Sequence, residues 1–277
     1  MFKPGPGQAG KNVLVKIAEH LDALRREGEL MAAAADRAGL AAVVPPCPAW
    51  QVKDLLRHTG YIHRWAARHI AERPGEVIDG PPEEEILRGG PGDEDLLDWF
   101  RAGHAALVET LASADPAVEC ATFLPAPSPL AFWTRRQAHE TAIHRADAEL
   151  AAGPADGPVP EYPPRFAADG IDELIMGFGQ RRKYQPPAAA APDTGPLRVI
   201  AADTGDAWSV EAREGLLQPR RETGTAAADA GCTVSAPASG LYLYLWNRAG
   251  AAKADVTVTG DPGLLASWQA SVKVRWG

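Results

Sequence analysis

The sequence predicts an α+β protein of two domains, an N-terminal four-helix bundle followed by a small α+β domain. The chain has 277 residues, more than the roughly 150 expected of one domain. Its first half contains four segments with the apolar spacing of amphipathic helices, and a Pro/Gly-rich stretch at 152–164 precedes shorter segments of strand character. We therefore predict a bundle at residues 1–155 and a C-terminal domain at residues 165–277.

Each predicted bundle helix has apolar residues every three or four positions. These helices are predicted at about 11–38, at about 50–73, from near 93–95 onward, and at about 130–151. In the second helix, His58 shares one stripe with Leu55 and Trp65, so its side chain is expected to point into the bundle. The Pro/Gly-rich stretch at 74–92 is predicted to be a loop.

After a helix-like segment at 169–181, the spacing of apolar residues changes from that of helices to that of strands. Strands are predicted at 197–201, 207–211, 232–234 and 256–258, and helices at 238–248 and 262–271. Short strands mixed with short helices are typical of a small α+β domain.

The composition limits the class of protein. Hydrophobic residues make up 45% and charged residues 23%, as in folded soluble proteins. A formal net charge of -8, with arginines scattered among acidic residues, argues against a nucleic-acid partner.

No long apolar run indicates a membrane span or an export signal, so a cytoplasmic protein is predicted. Three widely spaced cysteines argue against a disulfide framework, and the abundance of alanine and arginine indicates a GC-rich bacterial genome.

The fourth helix contains a candidate pair of metal ligands. Glu140 and His144 are four residues apart, so their side chains lie one turn apart on the same helix face. With His58 from the second helix they make a set of three ligands, which leaves a coordination position open, as in catalytic zinc sites. His139 is five residues from His144 and points elsewhere, which predicts a surface or outer-sphere role.

Each of these residues also has a simpler interpretation. An inward histidine is more often a hydrogen-bonded core residue than a ligand, and Glu140 with His144 also fits an ordinary helical ion pair. The remaining histidines are interpreted as packing or solvated residues: His20, His63, His69 and His104. Cys47, beside the prolines that precede the second helix, is interpreted as packing rather than as a nucleophile.

Three segments resemble the actinobacterial mycothiol-dependent maleylpyruvate isomerase family. Residues 44–58 resemble its proline-tryptophan entry into a histidine-bearing helix. Residues 136–147 resemble a second signature, in which a glutamate and a histidine four apart are followed by Arg-x-Asp. Residues 240–248 and 256–261 resemble its C-terminal domain. The resemblance implies a DinB-like bundle that holds zinc or a similar divalent ion at His58, Glu140 and His144, and a C-terminal domain shaped like a sterol carrier protein.

The resemblance also implies a cosubstrate and two further site residues. The thiol cosubstrate would be mycothiol, a cysteine-bearing pseudodisaccharide, and its partner a small electrophile. Arg248 matches an arginine that would face the bundle site, where it binds a substrate carboxylate or stabilises an enolate; the alternative is a cation that interacts with a helix terminus. Arg136, one turn before Glu140, would orient that carboxylate or bind an anionic substrate.

The leading hypothesis from the sequence is a metal-dependent, mycothiol-dependent thiol transferase or isomerase. Two alternatives come from other classes: a noncatalytic small-molecule-binding protein with a structural metal, and a metal-dependent hydrolase. The residues do not specify the electrophile, because a family defines its chemistry more closely than its substrate.

Overall fold

The structure is a computed structural model that describes residues 16–154, 157–181, 195–213, 216–222 and 230–272. Its N-terminal part is helical, with helices α1 (Ile17–Ala38), α2 (Val52–Glu72), α3 (Glu83–Arg88), α4 (Leu96–Ser113) and α5 (Pro129–Ala152). Helices α1, α2, α4 and α5 form the predicted four-helix bundle, in which α1 packs on α4 and α5, and α2 packs on the same two helices. The first residues of the helix predicted at 11–38 lie outside the described residues.

Local sequence explains where the two site-bearing helices begin. Helix α2 starts after a proline-rich turn, and the Asp54 carboxylate accepts the backbone N–H of Gln51 at 2.9 Å. Helix α5 starts with Ser128, whose hydroxyl accepts the backbone N–H of Ala131, and with Pro129 at its first position. These caps mark the first residues of the two helices that carry the candidate ligands.

The C-terminal part begins with α6 (Pro164–Asp172), which continues through a π-helical turn (Glu173–Gly177) and a 3₁₀ turn (Phe178–Gln180). A sheet of five strands follows in the order β3-β2-β1-β4-β5. Strands β1 and β4 pair in parallel and the other neighbours are antiparallel. The elements are β1 (Leu197–Ala201), β2 (Asp206–Arg213), β3 (Leu216–Arg221), β4 (Cys232–Ala236), α7 (Ala238–Leu245), β5 (Thr257–Gly260) and α8 (Pro262–Ser271). The predicted α+β class is confirmed.

Three elements differ from the sequence prediction. The edge strand β3 was not predicted, because its sequence lacks polar and apolar alternation and includes Pro219, which is tolerated at a sheet edge. The loop prediction at 74–92 is wrong for α3, a six-residue helix too short to show periodicity. The helix predicted at 238–248 ends earlier, since Asn247 has a left-handed backbone with φ 61°.

Helix α5 lies at the centre of the molecule. Nearly every residue from Leu130 to Ala148 is buried, because the bundle covers one side and the C-terminal helices cover the other. One continuous apolar core includes Trp133 of α5, Phe178 after α6, and Tyr242 of α7. Polar side chains on such a helix have no access to bulk water, so each depends on a partner inside the protein or on a bound molecule.

Among the described residues, no helix is both long enough and apolar enough to cross a membrane.

Candidate metal centre

The structure brings the three predicted ligands together at the interface of α2 and α5. The Oε1 atom of Glu140 lies 3.4 Å from Nε2 of His58 and 3.2 Å from Nε2 of His144. The three ligand atoms all lie within 4.8 Å of one another, and the three side chains are buried. Two imidazole nitrogens and one carboxylate oxygen therefore converge on one point, where they could hold a divalent ion.

Each histidine of this set has a carboxylate on its other ring nitrogen. The Nδ1 atom of His58 lies 2.8 Å from Oε1 of Glu83, and Nδ1 of His144 lies 2.8 Å from Oδ2 of Asp147. A carboxylate at Nδ1 favours a proton there and directs Nε2, the nitrogen that a cation would bind, inward. Sequence reasoning missed both partners. Asp147 was detectable from its i+3 spacing to His144, whereas Glu83 lies within the stretch predicted as a loop.

Arg136 positions the glutamate of the set. One of its terminal nitrogens donates to Oε2 of Glu140 at 2.8 Å, and the other contacts Glu173 of the π-helical turn. The guanidinium is only 1% exposed and lies near the rings of Phe178 and Trp246. Its burial and its two carboxylate partners support the orienting role over the binding of a substrate.

Arg248 reaches the bundle from the C-terminal domain, as expected. Its Nε and a terminal nitrogen donate to Asp147 at 2.9 and 3.0 Å, and its other terminal nitrogen donates to the carbonyl of Trp246 at 2.7 Å. The left-handed Asn247 turns the chain here, and the backbone N–H of Arg248 donates to the Leu243 carbonyl. Asp147 thus bridges Arg248 to a histidine of the candidate centre.

The electrostatics of the centre favour positive charge. Burial lowers the pKa of His58, but Glu140 and Glu83 outweigh this effect and raise it to about 9. Burial raises the pKa of Glu140, but His144 and His58 outweigh it and hold that pKa well below its usual range. For Asp147, Arg248 and His144 similarly outweigh burial and lower the pKa to about 2. Carboxylates that stay ionised beside buried imidazoles suit a cation.

The turn before α2 covers the two histidines. The centroid of the Trp50 ring lies 5.0 Å from that of His58 and 6.4 Å from that of His144, on which it stacks. Cys47 from the same turn is half-buried, and burial followed by the charge of Asp147 raises the pKa of its thiol. A thiol with a raised pKa is a weak nucleophile, which fits the packing role predicted for Cys47.

His139 is excluded from this centre, but the expectation of a surface position is wrong. Its side chain is buried, with Nε2 at 2.9 Å from Oδ2 of Asp169 and Nδ1 at 3.2 Å from the Tyr242 hydroxyl. His20 lies 3.0 Å from the same Asp169 oxygen, to which Arg135 also donates at 2.8 Å. This second cluster, of His20, His139 and Asp169, was not predicted from the sequence, because Asp169 belongs to α6, beyond the linker.

The other predicted packing histidines are buried. His104 lies 2.9 Å from the Leu24 carbonyl, and His63 lies 2.9 Å from the Thr141 hydroxyl. His69 bonds the Trp65 carbonyl and accepts the backbone N–H of Ile78.

The fold and site define a class of protein in which a helical bundle with a candidate metal centre is joined to a mixed α/β domain that contributes an arginine. Residues 21–149 match the family model described as mycothiol maleylpyruvate isomerase N-terminal domain. Residues 165–267 match the model of the C-terminal domain of the same isomerase. Together the two models cover most of the chain, which belongs to the mycothiol-dependent maleylpyruvate isomerase family. The family resemblance seen in the sequence is confirmed.

Solved structures support the fold. The chain is similar to the crystal structure of the mycothiol-dependent maleylpyruvate isomerase, with a TM-score of 0.59 and 14% identity over 88% of this chain and 93% of that chain. A histidine-to-alanine mutant of that enzyme matches with a TM-score of 0.58, the same identity and the same coverage. At this identity the likeness shows a shared fold. No curated protein sequence matches the chain.

Proposed function

We propose that the protein is a metal-dependent enzyme that uses mycothiol as a thiol cosubstrate and acts on a small electrophile, as an isomerase or an S-transferase. The observation that carries the proposal is the convergence of His58, Glu140 and His144, each held by a buried or half-buried partner. Membership of the mycothiol-dependent family is the reason for proposing mycothiol as the thiol. We also propose the division into residues 1–155 and 165–277, and a cytoplasmic setting in which thiols stay reduced.

The donor set fits a divalent cation, and zinc best. Two imidazoles and one carboxylate make up a common catalytic zinc site with a fourth position open. Zinc-binding histidines usually donate their other N–H to a carboxylate, as His58 and His144 are placed to do with Glu83 and Asp147. A bound cation would lower the pKa of a coordinated thiol, so that the cosubstrate reacts as its thiolate.

The residues of the chain prepare the site for this chemistry. Arg136 fixes the Glu140 carboxylate, and the Trp50 indole packs against the two imidazoles. We propose that Arg248 binds the anionic substrate or the charge that develops on it. Its contacts within the described residues use three of its five N–H groups. This count leaves two N–H groups that could donate to an oxyanion.

Metal content tests the centre directly. Purified protein is expected to contain about one zinc or comparable ion per chain, measured by plasma mass spectrometry, and His144→Ala is expected to lose it because two ligands bind a cation far more weakly than three. His104→Ala is the matched control, since this buried histidine bonds a backbone carbonyl and lies outside the set. Protein that binds no ion in metal-replete buffer, or His144→Ala that keeps its ion, contradicts the proposal.

Thiol dependence tests the reaction class. Turnover of maleylpyruvate or another small electrophile by the metal-loaded protein is expected to require added mycothiol. A rate that needs no thiol would instead favour a metal-dependent hydrolase, and a loaded protein that turns over nothing would favour the noncatalytic binding protein.

A further inference from the structure

Gln137 of α5 is a buried glutamine whose amide has no hydrogen-bond partner in the part of the chain that the structure describes. Its side chain is 1% exposed, and neither Oε1 nor Nε2 makes a hydrogen bond within the described residues. By contrast, the amides of Gln51 and Gln180 donate to the carbonyls of Ala41 and Met176. A buried amide without partners loses the free energy of its bonds to water and regains nothing, so it calls for an explanation.

The position of Gln137 connects it to the candidate metal centre. It lies three residues before Glu140 and seven before His144, on the same face of α5. Side chains at i and i+3 are about 5–6 Å apart at Cβ. Its amide is therefore within reach of a molecule bound at the centre.

A second unpartnered atom lies next to the same helix face. His63 of α2 approaches Thr141, one turn after Gln137, with its Nε2 at 2.9 Å from the Thr141 hydroxyl. The Nδ1 atom of His63 is buried and has no hydrogen-bond partner among the described residues. Unpartnered donors and acceptors thus occur on both helices that hold the centre, while the three ligands all have partners.

We propose that Gln137 is a binding residue for the cosubstrate, and that its carboxamide pairs with an amide group of the cysteinyl part of the thiol. This inference rests on the proposed function. A cysteinyl residue has amide groups at roughly 3 to 5 Å from its sulfur, as bond lengths dictate. A carboxamide is both donor and acceptor, so it can form two hydrogen bonds with another amide. It therefore discriminates against a thiol that has no amide group.

Stability gives the first test. Gln137→Met has a similar volume and removes both unpartnered atoms, so the ligand-free variant is expected to have a higher urea midpoint than the wild type. Gln269→Met is the matched control, because Gln269 is a half-buried glutamine on α8 of the C-terminal domain. It is expected to leave both stability and thiol binding unchanged. A lower midpoint for Gln137→Met would show that the amide is bonded in the free protein, and the proposal would be overturned.

Thiol binding gives the second test. Co²⁺-loaded protein is titrated with N-acetylcysteine N-methylamide, which has two amides, and with ethanethiol, which has none; binding is read from the sulfur-to-cobalt absorption. Wild type is expected to prefer the amide-bearing thiol, and Gln137→Met to reduce that preference roughly tenfold while its cobalt ligand-field spectrum stays unchanged.

The outcomes separate the two proposals. If wild-type protein binds cobalt and both thiols but Gln137→Met keeps the same preference, the role of Gln137 is wrong and the proposed function stands. If neither thiol reaches the cobalt of wild-type protein, the proposed function fails, and the binding role of Gln137 fails with it.

Discussion

The two histidines of the candidate centre each have a carboxylate on the ring nitrogen that faces away from it. Glu83 holds His58, and Asp147 holds His144. Such partners fix the ring orientation and the tautomer, and they make the inward nitrogen a better donor. The two carboxylates differ in one respect, since Asp147 is buried and paired with Arg248, whereas the Glu83 side chain is 20% exposed.

Glu83→Gln is expected to weaken metal binding by roughly tenfold, because the amide still accepts a hydrogen bond but no longer strengthens His58 with its charge. The measurement is a competition titration against a chelator of known affinity. Glu84→Gln is the control, since this neighbour on α3 forms an exposed pair with Arg88 on the same helix. Equal affinities for the two variants would show that Glu83 has no influence on the centre.

Helix α2 and the segment that follows it are joined by His69. Its Nδ1 lies 2.9 Å from the Trp65 carbonyl, and its Nε2 accepts the backbone N–H of Ile78 at 3.0 Å. This pattern requires a neutral imidazole with its proton on Nδ1. The anchored segment leads directly to α3 and Glu83, so protonation of His69 is expected to loosen the segment before the helix that supports His58.

The stability of the protein is expected to fall on acidification through His69. Burial lowers the pKa of His69 from its ordinary value of 6.5, so below about pH 6.5 the unfolded chain takes up a proton that the folded protein does not. The free energy of unfolding then decreases as pH falls, by at most about 1.4 kcal/mol per unit for this group, and the contribution is fully present above pH 6.5.

His69→Gln keeps a donor and an acceptor but does not titrate, so its unfolding free energy is expected to depend less on pH than that of the wild type. Urea unfolding from pH 8 to pH 5 provides the two curves, and their difference isolates His69 from the other histidines. Parallel curves would show that His69 titrates equally in both states.

At the scale of the whole molecule, the ion pair of Asp147 and Arg248 is one of the contacts that join the bundle to the C-terminal domain. The two residues are 101 positions apart in the chain, and their ion pair links α5 of the bundle to the residues that follow α7. Asp147 also contacts His144, so the packing of the C-terminal domain and the geometry of the candidate centre share one side chain. A change in either is expected to affect the other.

Arg248→Met is expected to destabilise the protein by about 3–5 kcal/mol, because it removes the guanidinium that neutralises the buried Asp147 carboxylate. The double variant with Asp147→Asn should cost clearly less than the sum of the single variants. Arg198→Met, which removes the partner of Glu222 elsewhere in the sheet, should add to Asp147→Asn within about 0.5 kcal/mol. Additive effects for Asp147 and Arg248 would contradict the coupling.

Local spacing by itself predicted the helices of the bundle, the inward position of His58 and the shared helix face of Glu140 and His144. That these three residues form one ligand set was also implied by the family resemblance. An apolar period of three to four residues determines which helix face is buried, and a separation of four residues places two side chains on the same face. These signals lie within one element, so a single sequence contains them. The helix predicted at 130–151 and the strand predicted at 197–201 agree with α5 and β1 for the same reason.

Only the tertiary structure decided what surrounds those ligands. The partner of His58 is 25 residues away, the partner of Arg136 in the π-helical turn is 37 away, and the partner of Asp147 is 101 away. A surface position was one of the two expectations for His139, because its angle on the helix was judged against the bundle alone, while Asp169 of α6 and Tyr242 of α7 contact the other side of α5. Pairings of this kind depend on how the elements pack in space, and periodicity along the chain contains no information about that packing.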